Sequence, residues 1–198
     1  MSDTQHARHP LVLVDGSYLY SGLKNFLGQT PRFHSEKLRG FLLHGAFAPR
    51  EYTRYYYYPQ GAALKEGKSF NAFLRRMRFA GWMTYDPRDR DSILDLLIWD
   101  ASRLLTKHRS DMNRLVLVSG SHRLVHTVSE YQSAGIPVTI VCAKTALSSA
   151  LGEILGQGEG HKLILLDEVF EQIRFGDTAD EASRPSEGND TRIADAAE

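Results

Sequence analysis

Cysteine and long apolar runs are the two features that this sequence most clearly lacks. Cys142 is the only cysteine, which excludes an intrachain disulfide and a cysteine-rich zinc site and favours a reducing compartment. No apolar run approaches the roughly 20 residues of a membrane-spanning helix. Residues 1–10 contain no apolar core of a secretory signal. We therefore expect a cytoplasmic protein with no membrane partner.

Net charge is also absent, because 24 basic residues balance 24 acidic ones. The balance is uneven along the chain. Residues 177–198 contain seven acids and two arginines, a net charge of −5, which leaves +5 on residues 1–176. The acidic tail has no apolar periodicity, so we expect it to be disordered and available to a protein partner. A mildly basic body is compatible with nucleic acid.

Short apolar segments that alternate with amphipathic segments are what the sequence does contain. Strands are predicted at 11–15, 52–58, 82–85, 115–118, 137–142 and 163–166. Helices are predicted at 18–27 and 35–43, with Ser17 and Ser35 as their caps, and at 65–80, 92–107, 124–134, 146–155 and 168–173. At 198 residues, the chain fits a single doubly wound, Rossmann-like α/β domain over 11–176. That domain would have a parallel sheet, helices on both faces and a flexible N-terminus at 1–10.

Two loops have the chemistry expected of a binding site in such a sheet. Asp15, Gly16 and Ser17 follow the first predicted strand, and residues 119–123 follow the fourth. Ligands of open parallel sheets bind beyond the carboxyl ends of the strands. Helix N-termini there attract anions, and a carboxylate attracts a divalent cation. The alternative is that these residues only form turns, in which Asp, Gly and Ser are common.

The order and spacing of several segments resemble the NYN domains, which are relatives of the PIN-like ribonucleases. The segment VLVDGSYLY at 12–20 resembles the first strand of that family and the turn after it. The segments YYYYP at 55–59, LVLVSG at 115–120 and GIPVTIV at 135–141 are similar to later strands, and the helix around Asp100 is similar to the central helix. The resemblance covers about residues 10–173.

This resemblance implies a PIN-like sheet of strand order 3-2-1-4-5 and an acidic cluster that binds Mg²⁺ or Mn²⁺ and hydrolyses RNA. RNA is therefore the expected partner. The implied catalytic residues are Asp15, Asp95 and Asp100. The implied metal ligands are Asp15, Asp91 and Asp95. The residues expected to contact the substrate are Ser17, Ser119, Ser121 and Arg123.

The sequence departs from the family pattern within this set. Ser17 stands where asparagine is usual, and Ser121 and Arg123 stand where two aspartates are usual. On a helix, Asp91 and Asp95 lie about 40° apart, but Asp95 and Asp100 lie about 140° apart. A hard cation needs charged oxygen ligands, and Arg123 would supply a positive charge in place of the metal. These departures leave catalysis open.

Three functional hypotheses follow from the sequence. The first is a metal-dependent endoribonuclease with an altered site. The second is a degenerate relative that binds RNA or a nucleotide without cutting it. The third is a protein-interaction scaffold, and a homo-oligomer is compatible with each of them. The basic body and Arg123 favour the second hypothesis over the third, and the missing aspartates argue against the first.

Overall fold

The structure is a computed structural model that describes residues 8–29, 32–57, 67–85, 92–156 and 160–174, with only the backbone for residues 67–70. The predicted acidic tail at 177–198, most of the predicted N-terminal segment and the candidate ligand Asp91 lie outside these residues. None of the described helices is both long enough and apolar enough to cross a membrane.

The described strands form one six-stranded sheet in which every pairing is parallel. The strands are β1 (His9–Asp15), β2 (Thr53–Tyr56), β3 (Met83–Tyr85), β4 (Met112–Val118), β5 (Val138–Cys142) and β6 (Lys162–Leu165). The strand order is β3-β2-β1-β4-β5-β6. This order contains the expected 3-2-1-4-5 arrangement and adds β6 beside β5, so the predicted doubly wound α/β fold is confirmed.

Seven α-helices connect the strands within the described residues. They are α1 (Gly16–Leu27), α2 (Ser35–Leu43), α3 (Gly67–Phe79), α4 (Ser92–His108), α5 (Val125–Ser133), α6 (Ser149–Leu155) and α7 (Leu166–Ile173). Helix-to-helix contacts divide them into two layers, with α1, α2, α3 and α7 in one layer and α4, α5 and α6 in the other. Two helical layers around one parallel sheet are what right-handed βαβ crossovers produce.

The N-caps of the first two helices differ from the prediction. Asp15, rather than Ser17, is the N-cap of α1, because its Oδ1 accepts a hydrogen bond of 2.9 Å from the backbone N–H of Tyr18. The bounds predicted for α2 are confirmed, but its N-cap is His34, which makes no side-chain cap bond. The predictions of Ser17 and Ser35 as caps were therefore wrong. At α1, a side chain just before the helix reaches the free N–H groups better.

The sheet core comes from continuous apolar strands, as expected for strands buried on both faces. The apolar residues from Leu11 to Val14 in β1 are fully buried, and β4 and β5 are buried in the same way. Tyr55 and Tyr56 are also buried, on opposite faces of β2. Tyr55 contacts the Phe73 and Trp82 rings, whereas Tyr56 bonds to α4. The tyrosine run is therefore part of the core, and Tyr58 lies outside the described residues.

Candidate functional site

A cleft of about 280 Å³ lies where the strand order reverses, at the carboxyl ends of β1 and β4. The two strands are neighbours, with Val14 in register with Val118, so Asp15 and Ser119 follow paired residues. Both residues line the cleft. The complete lining within the described residues is Asp15, Ser17, Tyr18, Ser21, Ile93, Leu94, Ser119, Ser121 and Arg123. All four residues expected to contact the substrate therefore meet Asp15 in one cleft.

Two glycines allow these loops to approach their neighbours closely. A Cβ on Gly16 would lie 2.4 Å from the Tyr55 ring, and a Cβ on Gly120 would lie 2.3 Å from the carbonyl oxygen of Ala146. The same Cβ on Gly120 would lie 2.5 Å from the Tyr18 hydroxyl. Side chains do not fit at either position, so glycine is needed to hold the two loops in these positions.

Ser119 is the buried polar residue at the end of β4. Its side chain is fully buried, and its Oγ has no hydrogen-bond partner among the described residues. A buried hydroxyl without a partner costs about 1–3 kcal/mol. Ser119 belongs to the lining of the cleft, and its hydroxyl lies beneath the cleft surface. The charge around this hydroxyl comes from Asp15, which is 9% exposed.

Arg123 is the cation of the cleft, and it contacts Asp95 at the rim. One guanidinium nitrogen of Arg123 forms an ion pair with Asp95 Oδ1, and the two side chains are 44% and 63% exposed. An exposed pair contributes only about 0–1 kcal/mol, so the arginine can be drawn to a stronger anion. The prediction placed Asp95 in the catalytic and metal sets; the structure places it against Arg123 and outside the cleft lining.

Asp100 occupies a different environment, which does not fit the catalytic role implied by the resemblance. Its side chain is 2% exposed and lies between Arg54 and Arg103, with an N–O distance of 2.8 Å to each. The Tyr56 hydroxyl donates a third bond of 2.6 Å to it, and burial and this bond raise the pKa of Tyr56. The acid is saturated with donors and does not line the cleft. Its surroundings are those of a structural ion-pair network.

The implied metal ion does not fit the donors that the structure describes. Within the described ranges, no three His, Cys, Asp or Glu side chains are grouped so that they could hold a metal ion. Asp15 lines the cleft, but Asp95 is paired with Arg123 and Asp100 is enclosed by two arginines. A hard cation needs several oxygen ligands, with charged carboxylates among them, and Arg123 places a competing positive charge beside them.

A hydrogen-bonded corner adjoins the cleft through Tyr18, which is part of the lining. The Tyr18 hydroxyl donates to the Ala146 carbonyl at 3.3 Å and bonds to the Cys142 thiol. Burial, and next the neighbouring Cys142, raises the pKa of Tyr18. Burial, and next the charge of Asp167, raises the pKa of Cys142 to about 11. Both groups therefore keep their protons near neutral pH and act as structural donors.

A second, larger cleft of about 700 Å³ lies at the opposite edge of the sheet, where β4 begins. The sequence interpretation did not include it, because it concentrated on the carboxyl ends of the strands. Arg8, Lys107 and Arg109 line it, and no acidic side chain does so among the described residues. Arg109 is held there by a bond of 2.6 Å to the Ala134 carbonyl. The sequence did contain a signal for this cleft, because these cations precede strands that are parallel neighbours in the sheet.

Comparisons with known proteins bear on the fold alone. No protein-family model matches the chain, and no curated protein matches it. The chain is similar in structure to a protein of unknown function from Vibrio parahaemolyticus, with a TM-score of 0.58 and 17% sequence identity. The match covers 88% of this chain and 99% of that one. At this identity the likeness supports the α/β architecture, and the resemblance to NYN domains stays a prediction.

Proposed function

We propose that this protein binds single-stranded RNA and that the cleft at the carboxyl edge holds one ribonucleotide unit of it. The observation that carries the proposal is the cleft itself, in which Asp15, Arg123 and several serines meet where the strand order reverses. An anion alone would be repelled by Asp15. A ribonucleotide combines a phosphate, which suits Arg123, with hydroxyl groups that can donate to the carboxylate.

The chemistry of the cleft favours RNA over DNA. Only RNA carries a 2′-hydroxyl, and this group lets a protein distinguish the two nucleic acids. A carboxylate is a good acceptor for the hydrogen bond that the hydroxyl donates. The seryl hydroxyls and the N-terminus of α1 add donors for phosphate oxygens. Because the described donors do not fit a metal ion, we propose binding without cleavage. Metal-dependent cleavage by Asp15 and Asp95 is the alternative that the experiment must separate.

The test measures the affinity of a fluorescent single-stranded RNA of about ten nucleotides, and of the same DNA sequence, by anisotropy. Arg123→Ala should weaken RNA binding about 10- to 100-fold, because a charged hydrogen bond is lost. The matched control is Arg75→Ala, an exposed arginine of α3 in the other helical layer, which should bind normally. Equal losses in both variants, or equal affinity for DNA and RNA, would contradict the proposal.

The cleavage alternative is tested with Asp15→Asn, which removes a charge but keeps an oxygen that can cap α1. The same RNA is incubated with Mg²⁺ or Mn²⁺ and analysed on a denaturing gel. We expect intact RNA with wild type and with the variant. Multiple-turnover cleavage that disappears in Asp15→Asn would instead support the endoribonuclease.

A further inference from the structure

Trp99 is an aromatic residue of α4 whose large side chain is exposed to solvent. It is 59% exposed, whereas the second tryptophan, Trp82, is fully buried. Trp99 follows Asp95 by four positions and therefore lies one helical turn away, about 6 Å along the axis. Since Asp95 contacts Arg123, this indole lies beside the rim of the carboxyl-edge cleft.

The guanidinium of Arg103 lies over this ring. Its Cζ lies 5.0 Å from the centre of the Trp99 ring, a cation–π geometry. The same guanidinium donates to Asp100 Oδ1 through Nε at 3.3 Å and Nη2 at 2.8 Å. Asp100 is fixed in turn by Arg54 and Tyr56. The buried acid therefore orients Arg103, whose guanidinium lies over the exposed indole.

The charge along α4 favours a polyanion as the occupant of this surface. Arg123 lies near the start of the helix, and Arg103 lies beside Trp99. Lys107 lines the second cleft, at the opposite edge of the sheet. The exposed acid Asp95 is paired with Arg123. A second copy of the chain would bring the same cations against each other in a symmetric contact, which disfavours self-association through this face.

We propose that Trp99 and Arg103 form a stacking platform for a base of the RNA strand whose neighbouring nucleotide occupies the carboxyl-edge cleft. The inference rests on the proposed function and extends it by naming where a base binds. Aromatic side chains and guanidinium planes stack on unpaired bases, and this stacking tolerates any base because each has a π-face. The platform therefore gives affinity for single strands without a strict sequence requirement.

Tryptophan fluorescence tests the platform directly, because Trp82 is fully buried and Trp99 is not. The full chain is titrated with the single-stranded RNA, and with an abasic strand of equal length and charge. We expect RNA to quench the emission and the abasic strand to bind weakly without quenching it. Trp99→Ala should weaken RNA binding about 5- to 150-fold. The matched control is Phe79→Ala, whose ring is 83% exposed on α3, and it should bind normally.

The outcomes separate the platform from the function on which it rests. RNA binding that needs Arg123 but leaves the Trp99 emission and the Trp99→Ala affinity unchanged overturns the platform and preserves the proposed function. No RNA binding by any form of the protein overturns both. Emission that changes with protein concentration, together with a dimer in sedimentation, assigns Trp99 to a contact between copies and overturns the platform. Circular dichroism melts of each variant verify that the fold is retained.

Discussion

The two aspartates of α4, each paired with arginine, show how position on one helix decides what a charge does. Asp95 pairs with Arg123 at the rim of the cleft, where both side chains face solvent. Asp100, five positions later, is 2% exposed and enclosed by Arg54 and Arg103. Water screens the first pair, so it is weak and can exchange partners. The carboxylate of Asp100 is buried away from water, so each of its partners is needed to compensate its charge.

This difference gives Asp95 and Asp100 separate roles, whereas the resemblance to NYN domains implied the same catalytic role for both. Both acids were expected to be catalytic, but only the exposed one is free to respond to a ligand. The rim pair holds Arg123 beside the cleft and can release it to a phosphate. The buried network instead fixes α4 on the sheet and orients Arg103 under Trp99. The helix thus combines an adaptable contact at one turn with a rigid one at the next.

The largest expected effect comes from removing the buried charge. Asp100→Asn keeps the size of the side chain but leaves Arg54 and Arg103 without a counter-charge. Breaking a buried pair on one side costs about 3–5 kcal/mol, and we expect the free energy of unfolding in urea to fall by that amount. The matched control is Asp95→Asn, whose effect should stay within about 0.5 kcal/mol. Similar losses in the two variants would remove the contrast between these contacts.

An intermediate effect is expected for RNA affinity in Asp95→Asn. The substitution removes the anion that competes for Arg123, so binding should become about 1.4- to 5-fold tighter, in line with the 0.2–1 kcal/mol of an exposed pair. The measurement is anisotropy at low salt, repeated at high salt, where screening should shrink the gain. A metal ligand at Asp95 would give the opposite sign, because its loss would weaken binding that depends on Mg²⁺ or Mn²⁺.

The fold was predictable to a much larger extent than the site. Continuous apolar runs such as Leu11 to Val14 and Leu115 to Val118 specify buried parallel strands, and their order placed Asp15 and Ser119 at one edge. Local pattern was sufficient for this part of the structure, apart from the caps of α1 and α2.

The partners of individual charges could not be predicted, because they depend on which strand lies beneath a helix. Arg54 and Asp100 are 46 positions apart, and Arg123 and Asp95 are 28 positions apart. No local pattern relates such residues. Trp99 and Arg103 are different, since a spacing of four on a predicted helix places them on one face. That pair could have been predicted from the sequence, but the sequence interpretation considered only the acids of this helix as site residues.

The smallest expected effect extends the contrast between buried and exposed groups to Cys142 at the carboxyl end of β5. Burial raises its pKa from an ordinary value of 9.0 to about 11. The folded protein therefore holds the thiol proton more tightly than the unfolded chain does. The resulting stabilisation is fully present below pH 9 and is lost as the pH rises through about 11. Buried tyrosines add to the alkaline loss, so Cys142→Ala isolates the thiol. Its free energy of unfolding in urea should fall less steeply between these pH values than that of wild type. Below pH 9 the two proteins should differ by a constant amount, which reports the lost packing and the lost hydrogen bond with Tyr18. Parallel profiles throughout the alkaline range would show that the thiol ionises equally in both states, and the contrast would then be confined to α4.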